Sequence, residues 1–434
     1  MKTYLLEKIH NKTAVLGIVG LGYVGLPLAV EFARAGLRVM GIDVNACKVD
    51  AINRGESYIP DVPAAAVADL VQRGKLAATS DYAVVRDCDA VSICVPTPLN
   101  KTRDPDMSYV VHAADQVAQF CHPGLVIVLE STTYPGTTEE ILLPKLQAKG
   151  CRIGEDVFLA FSPERLDPGN ARWGVRNTPK VLGGATAACT EVAAALYHLA
   201  VERVVPVSSM RTAEVVKLLE NTFRAVNIGL VNEMALMCDK LDVDVWEVIE
   251  AASTKPYGFV RFTPGPGIGG HCIPVDPLYL SWKLKTLNYT AQFIELADSI
   301  NSRMPEHVVT LVAEALNDEG KALNGADVLL LGLAYKRDSD DVRESPALDV
   351  MAELVRRKAR VSYHDPWVSE AQLEGAAFRS VALTPSVLQA ADCVVVTTDH
   401  SALDWEMVRQ HARLIVDTRN ALNGAAGGAR LVKL

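Results

Sequence analysis

The chain has 434 residues, 49% of them hydrophobic and 22% charged, a globular composition too long for one core, so two or three domains are expected. A net charge of −9 at pH 7 argues against a general nucleic-acid binder while leaving room for a local basic pocket that takes an anionic metabolite. No apolar stretch approaches the ~20 residues that cross a bilayer, and Met1 to Lys12 carries charges where a signal peptide needs an apolar core, so a cytoplasmic location is expected.

From the N-terminus, Thr13 to Val19 reads as a buried strand that runs into Gly20-Leu-Gly22-Tyr23-Val24-Gly25 and then a helical stretch from Leu26 to Ala35. Strand, glycine turn and helix in this order predict a Rossmann-like dinucleotide site. Gly20 permits the tight bend, Gly22 lets the backbone approach a pyrophosphate, and Gly25 allows close helix packing. Leu37 to Asp43 supplies a second strand, and Asp43 at its end can accept hydrogen bonds from ribose hydroxyls while repelling a 2′-phosphate, so NAD is preferred over NADP. Lys48 can reach the same region or stand as a solvated helix residue. Ala90 to Val95 and Leu125 to Leu129 add apolar runs of the kind parallel sheets bury on both faces.

Val157 to Phe161 is strand-like and leads to Ser162-Pro-Glu164, where Glu164 is either a base for water or a residue that turns the chain after Pro163. Thr212 to Leu241 is one helical pattern, about 45 Å long at ~1.5 Å per residue, enough to link domains and carry a subunit interface. Lys217 and Asn221 stand four apart on it, presenting an ammonium and an amide on one face, or else they are a solvated lysine and a surface amide. Cys272 lies in Gly265-Pro-Gly-Ile-Gly269-Gly-His-Cys272-Ile-Pro-Val-Asp276, too rich in glycine and proline for a regular element. A thiol on such a shaped loop is the leading candidate nucleophile, against the alternative of a loop thiol without a role. Asp276 before Pro277 fits a helix N-cap as well as a catalytic carboxylate. His271 is left out, because adjacency in sequence gives no hydrogen-bond geometry. The remaining cysteines read mostly as packing, with Cys94 and Cys393 in apolar runs and Cys238 in a helical pattern. Nine cysteines without paired C-x-x-C spacing make neither a disulfide framework nor a zinc pattern, and no metal is expected.

A second strand and helix series runs through Asp327 to Gly332, Arg360 to Asp365, Asp392 to Thr397 and Leu414 to Asp417. Its first turn, Gly332-Leu-Ala-Tyr-Lys336, lacks the three-glycine pattern, so a second complete dinucleotide is not implied. The fold class expected is α/β, two Rossmann-like doubly wound domains joined by a long helix and a central helical domain. The divisions fall at 1–208, 209–308 and 309–434.

Taken together, Gly20 to Gly25, Val95-Pro-Thr97-Pro98, Glu130-Ser-Thr132-Thr-Tyr-Pro-Gly136, Ser162-Pro-Glu164, Lys217 to Asn221, Gly269-Gly-His-Cys272 with Asp276, Gly332 to Lys336, and Arg343-Glu-Ser-Pro346 resemble the UDP-glucose/GDP-mannose dehydrogenase family over nearly the whole chain. Within it, Pro264 to Pro277, Thr97 to Lys101 and Pro163 to Asn170 look most like the bacterial UDP-N-acetylglucosamine 6-dehydrogenases. The resemblance implies NAD-dependent, four-electron oxidation of a UDP-sugar from C6 alcohol to carboxylate through a thiohemiacetal and thioester on Cys272, supplying a surface polysaccharide precursor. UDP-N-acetylglucosamine is the first expectation. UDP-glucose, or the galactosamine or mannosamine analogue, is the alternative.

The resemblance assigns Cys272 as nucleophile, assisted by Lys217, Asn221 and Asp276, with Glu164 handling the attacking water. Lys217 is expected to lower the thiol pKa. Thr132 would lie beside nicotinamide, Thr97 and Lys48 on the cofactor, and Arg343 near its pyrophosphate. Substrate contacts would include Glu164, Arg165, Leu166, Lys217, Asn221, Arg261, Gly269, Lys336 and Arg419. Lys336 and Arg419 also fit as ordinary residues at strand ends. A homodimer or larger oligomer is expected, with neither nucleic acid nor membrane as partner. Two rivals are a single-step β-hydroxyacid-type dehydrogenase, which needs no thiol, and a non-catalytic NAD-sensing module.

Overall fold

The computed structural model describes residues 1–100, 104–167, 169–170, 172–423 and 427–434. Lys101 and Pro168, which belong to two of the motifs above, lie outside the described residues. The chain packs as two compact units, one of residues 1–220 with 282–288, the other of 221–281 with 289–434.

The first unit is built on an eight-stranded sheet of β1 (Val15–Val19), β2 (Arg38–Ile42), β3 (Leu76–Thr79), β4 (Ala90–Ile93), β5 (Leu125–Leu129), β6 (Val157–Phe161), β7 (Lys180–Gly184) and β8 (Val204–Pro206), in the order β3-β2-β1-β4-β5-β6-β7-β8. Pairing is parallel from β3 to β6, and β7 joins β6 antiparallel. All five residues of β5 and of β6 are buried, as expected for strands covered on both faces. Strand order reverses between β1 and β4, which places the ligand crevice of such a sheet at their C-terminal ends. The helix Gly25–Arg34 begins one residue earlier than the sequence pattern suggests.

The second unit carries a five-stranded, all-parallel sheet of β9 (Asp327–Leu331), β10 (Arg360–His364), β13 (Cys393–Val396), β14 (Leu414–Asp417) and β15 (Arg430–Lys433), ordered β10-β9-β13-β14-β15. A separate antiparallel ribbon of β11 (Glu370–Leu373) and β12 (Ala376–Arg379) was not legible in the sequence. Helix Gln292–Asp318 runs across the expected division at 308/309, because Met304, Val308, Val309, Leu311 and Val312 along it bury into one core with β9, β10, β13 and β14. The long helix is Met210–Lys240, 31 residues, and it contributes its first part to one unit and the rest to the other.

Candidate active site

In the first unit the tight bend and the close helix packing expected of the glycine turn are both present. Gly20 has φ +89°, and a Cβ there would stand 2.6 Å from Cys94 O. At Gly25 a Cβ would fall 1.8 Å from Gly20 O, so only glycine lets the helix begin this close to the strand. Nothing lies within 4 Å of the Cβ position at Gly22, so the backbone there is open to a pyrophosphate. Tyr23 and Val24 complete the turn, Tyr23 exposed and Val24 at the helix N-cap. Asp43 is 8% exposed and accepts from the Leu21 amide at 2.8 Å and the Asn45 amide at 2.9 Å. Lys48 Nζ stands 3.5 Å from Asp43 Oδ2, so Lys48 is not a freely solvated lysine but part of this cradle. Tyr58 closes it by donating to Leu21 O at 2.6 Å. Open backbone at Gly22 and a carboxylate with acceptor capacity left at Asp43 fit a dinucleotide.

Thr97 follows β4 and Thr132 follows β5, both half-buried at the C-terminal edge of the sheet. The segment after Thr132 is clamped by Glu214 on the long helix, whose carboxylate accepts from the Gly136 amide at 2.5 Å and from Thr138 at both its amide and hydroxyl. Burial pushes the Glu214 pKa up, against the opposing pull of those three donors. One turn further along, Lys217 is 7% exposed, and Asn221 on the following turn 6%, which overturns the solvated alternative for both.

Glu164 follows β6, and its Oε1 accepts from the amides of Arg165 at 2.7 Å and Leu166 at 2.5 Å, so it does turn the chain. Its other oxygen lies 3.7 Å from Lys180 Nζ. The Arg165 guanidinium is engaged by both oxygens of Glu220 and by Pro179 O, which ties the 164–166 turn to the long helix.

In the second unit, the Cys272 loop closes into helix Asp276–Lys285 through a 2.7 Å bond from the Asp276 amide to Cys272 O. Asp276 is 3% exposed, and Asn221 donates to its carboxylate. Helix start and buried polar pair are thus one arrangement. His271 Nε2 lies 3.4 Å from Cys272 Sγ. Sequence reasoning passed over this residue, and only its adjacency could have suggested it. Gly269 sits where a Cβ would meet Tyr335 Cβ at 2.5 Å and Glu344 O at 2.9 Å, and this close approach seats the loop against the segments carrying Lys336 and Arg343. Arg343 forks onto Asp341. Arg419, after β14, donates to Thr397 O at 2.9 Å, and a Cβ on Gly265 would stand 2.5 Å from its Nη1. Among the described residues no carboxylate lies within ion-pair distance of Arg419. Lys336 follows β9 and is half-buried, while Arg261 stands exposed before the loop.

Of the other cysteines, Cys94, Cys238 and Cys393 are buried, and burial pushes the Cys393 thiol up to about 12. Cys47 is exposed instead, because it lies in the first turn of a surface helix, and Cys121 and Cys151 meet at 3.4 Å between sulfurs. No helix among the described residues is long and apolar enough to cross a membrane.

A dinucleotide turn on one sheet, and a cysteine loop seated against the first turn of another, define an NAD-dependent nucleotide-sugar dehydrogenase. The chain belongs to the UDP-glucose/GDP-mannose dehydrogenase family: its NAD-binding domain model matches residues 14–201, its central domain 211–303, and its UDP-binding domain 329–424. The chain is 36% identical over 417 residues to the UDP-N-acetyl-D-mannosamine dehydrogenase of Pyrococcus horikoshii, covering 94% of this chain and 96% of that protein. It is also 36% identical over 360 residues to the UDP-N-acetyl-D-glucosamine 6-dehydrogenase of Pseudomonas aeruginosa, covering 82% and 84%. The solved structure of the Pyrococcus horikoshii UDP-D-ManNAc dehydrogenase matches with a TM-score of 0.88 at 34% identity, over 96% of this chain and 98% of that one.

Proposed function

We propose that the protein oxidises C6 of a UDP-N-acetylhexosamine to the carboxylate in two steps, with Cys272 as the covalent nucleophile. The observation that carries this is the cysteine loop itself, whose carbonyl starts the helix of Asp276 while Asn221 holds the Asp276 carboxylate. NAD supplies the hydride acceptor in each of the two oxidations. The Cys272 thiolate adds to the C6 aldehyde, forming a C–S bond, and the new alkoxide takes up a proton. The thiohemiacetal hydroxyl returns that proton as the second oxidation leaves a thioester. Water held by Glu164 then attacks the thioester carbonyl, the C–S bond breaks, and the thiolate returns to Cys272. Lys217 and Asn221 stabilise the developing oxyanion, Lys217 also favours the thiolate, and Thr132 orders the water near the reacting carbon.

Gly20 to Gly25, Asp43, Lys48, Thr97 and Arg343 hold the cofactor, while Lys336, Arg419, Arg261 and Gly269 with the Glu164 to Leu166 turn hold the UDP-sugar. Arg419, whose guanidinium has the Thr397 carbonyl but, among the described residues, no carboxylate within ion-pair distance, suits a diphosphate. The three segments 1–208, 209–308 and 309–434 divide this work as cofactor, central and UDP portions. UDP-N-acetylglucosamine is the first substrate to assay. UDP-N-acetylmannosamine is the second reading, favoured by the longer match to a relative bearing that name. The enzyme works in the cytoplasm as a homodimer. Val215, Leu219, Phe223, Leu230 and Met237 are all exposed and fall on one face of the long helix by their spacing, an apolar stripe that a second copy would cover.

A panel of UDP-glucose, UDP-N-acetylglucosamine, UDP-N-acetylgalactosamine, UDP-N-acetylmannosamine and GDP-mannose, read as NADH per sugar consumed, tests this. A ratio of two with a uronic acid product is expected for one UDP-N-acetylhexosamine. A ratio of one with released aldehyde, or full turnover by Cys272→Ser, would sink it.

A further inference from the structure

The first unit holds a buried ion cluster that none of these catalytic assignments uses. Lys180, the first residue of β7, is 7% exposed, and its Nζ lies 2.5 Å from Oε2 of Glu130, itself only 1% exposed at the end of β5. Tyr197, fully buried, donates to Glu130 Oε1 and lies 3.0 Å from Ser92 Oγ on β4. The Lys180 ammonium also stands 5.5 Å from the centre of the Tyr197 ring. Such a pair is costly to bury and gives weak net stability, so its presence calls for a further explanation.

That explanation lies on the other side of the ammonium. Glu164 Oε1 is used up by the amides of Arg165 and Leu166, and its free oxygen is the one 3.7 Å from Lys180 Nζ. One cation is therefore shared between a carboxylate in direct hydrogen bond and a second beyond hydrogen-bond distance but within Coulombic reach.

We propose that Lys180 is a positioning residue for the reaction, holding the free oxygen of Glu164 aimed for water, while Glu130 sets how much of the Lys180 charge Glu164 receives. The inference rests on Glu164 handling the water of thioester hydrolysis. The groups facing Glu164 and Lys180 are Glu130 after β5, Cys94 after β4, Tyr197 on its helix and the Arg165 amide; the Arg165 guanidinium is occupied by Glu220 and Pro179 O. Burial drives the Glu130 pKa up and Lys180 opposes this, so the two carboxylates compete for one ammonium.

The signs follow. Removing the cation with Lys180→Met disfavours the Glu164 carboxylate, and the acid limb of the kcat profile moves to higher pH by about one unit. Removing the competitor with Glu130→Gln leaves Lys180 to Glu164 alone, and the same limb moves to lower pH. A merely structural role would lower activity without moving the limb in opposite directions. The measurement is steady-state kcat against pH for the full-length enzyme with NAD and whichever UDP-N-acetylhexosamine it oxidises, alongside single-turnover NADH formation and trapping of the thioester by acid quench. Lys180→Met is expected to accumulate thioester on the acid side of its displaced limb, at a pH where the native enzyme does not, with the first oxidation little changed, and Lys180→Arg to restore the limb.

If Lys180→Met does not fold, Glu130→Gln with Lys180→Met removes the unpaired buried charge, and its limb is expected where Lys180→Met would put it. Limbs that stay at the native pH in Glu130→Gln and in the double variant overturn the role of Lys180. Glu164→Gln separates the two claims: if it accumulates no thioester, the assignment of Glu164 fails, whatever the Lys180 variants do.

Discussion

The two sheets open with nearly the same turn, and the difference between those turns separates an aspartate with acceptor positions left open from one that is saturated. After β1 the chain reads Gly20-Leu-Gly22-Tyr23, and after β9 it reads Gly332-Leu-Ala-Tyr335. Gly20 and Gly332 both have φ +89°, and each donates its amide to the neighbouring strand, at Ile42 O and His364 O. Both turns are followed by a strand ending in aspartate. Asp43 takes two amides and a lysine at 3.5 Å, leaving lone pairs for ribose hydroxyls. Asp365 takes the amides of Leu333, Ala334, Trp367 and Val368 and the ring of His400. His400 Nδ1 already accepts from the Asp338 amide, so Nε2 carries the proton that Asp365 receives. Five donors exceed the roughly four acceptor positions of a carboxylate, and a ribose finds none left. One aspartate keeps acceptor positions open, and its counterpart is a rivet.

The largest test of this contrast compares two alanines in the first turn. Gly25→Ala puts a methyl 1.8 Å from Gly20 O, so the strand or helix must shift, and a loss of about 3 kcal/mol or more in urea unfolding is expected. Gly22→Ala meets open space in the protein alone, so its unfolding midpoint should stay near native while NAD affinity falls at least about tenfold. Equal destabilisation by both would show that Gly22 serves packing and not a ligand.

Next in size is Asp365→Asn. Burial raises the Asp365 pKa, but the His400 ring and the amides of Leu333, Trp367 and Ala334 outweigh it and bring the group down to about 2. A pKa depressed on folding means stability that is present above the unfolded value near ~4 and lost as pH falls towards 2, worth about 2 kcal/mol for this shift. Asp365→Asn should lose about that much at pH 7 and flatten the acid side of the stability curve between pH 4 and 2. An unchanged slope there would mean that Asp365 is not the rivet.

How much of this contrast the sequence discloses depends on chain separation. The strand, turn and helix around Gly20 and the thiol loop around Cys272 are local patterns, and periodicity with glycine placement reveals them. The saturation of Asp365 needs His400, 35 residues away, and the Lys180 and Glu130 pair spans 50 residues, so only folding brings them together. Sequence reasoning left Lys217 and Asn221 between buried and solvated, because a helix with exposed Leu219 and Phe223 has no simple polar face from which to judge. Burial of both residues decides that question, and the bond from Asn221 to Asp276 shows why the amide is there.

The smallest test concerns Lys48, where the first turn is open and charge is only partly screened. Its side chain is 35% exposed and its ammonium 3.5 Å from Asp43, a geometry worth well under about 1 kcal/mol in the free protein. Stability should therefore be nearly unchanged in Lys48→Ala. If the Asp43 carboxylate is a ribose receptor, Lys48 acts by holding it in place, and NAD KM should rise only about two- to fivefold with kcat intact. Asp43→Asn should do more, raising NAD KM about tenfold and narrowing the preference over NADP, since the charge that repels a 2′-phosphate is gone. If Lys48→Ala weakens NAD as much as Asp43→Asn does, the lysine touches the cofactor itself, and the receptor after β1 is a pair of residues instead of one.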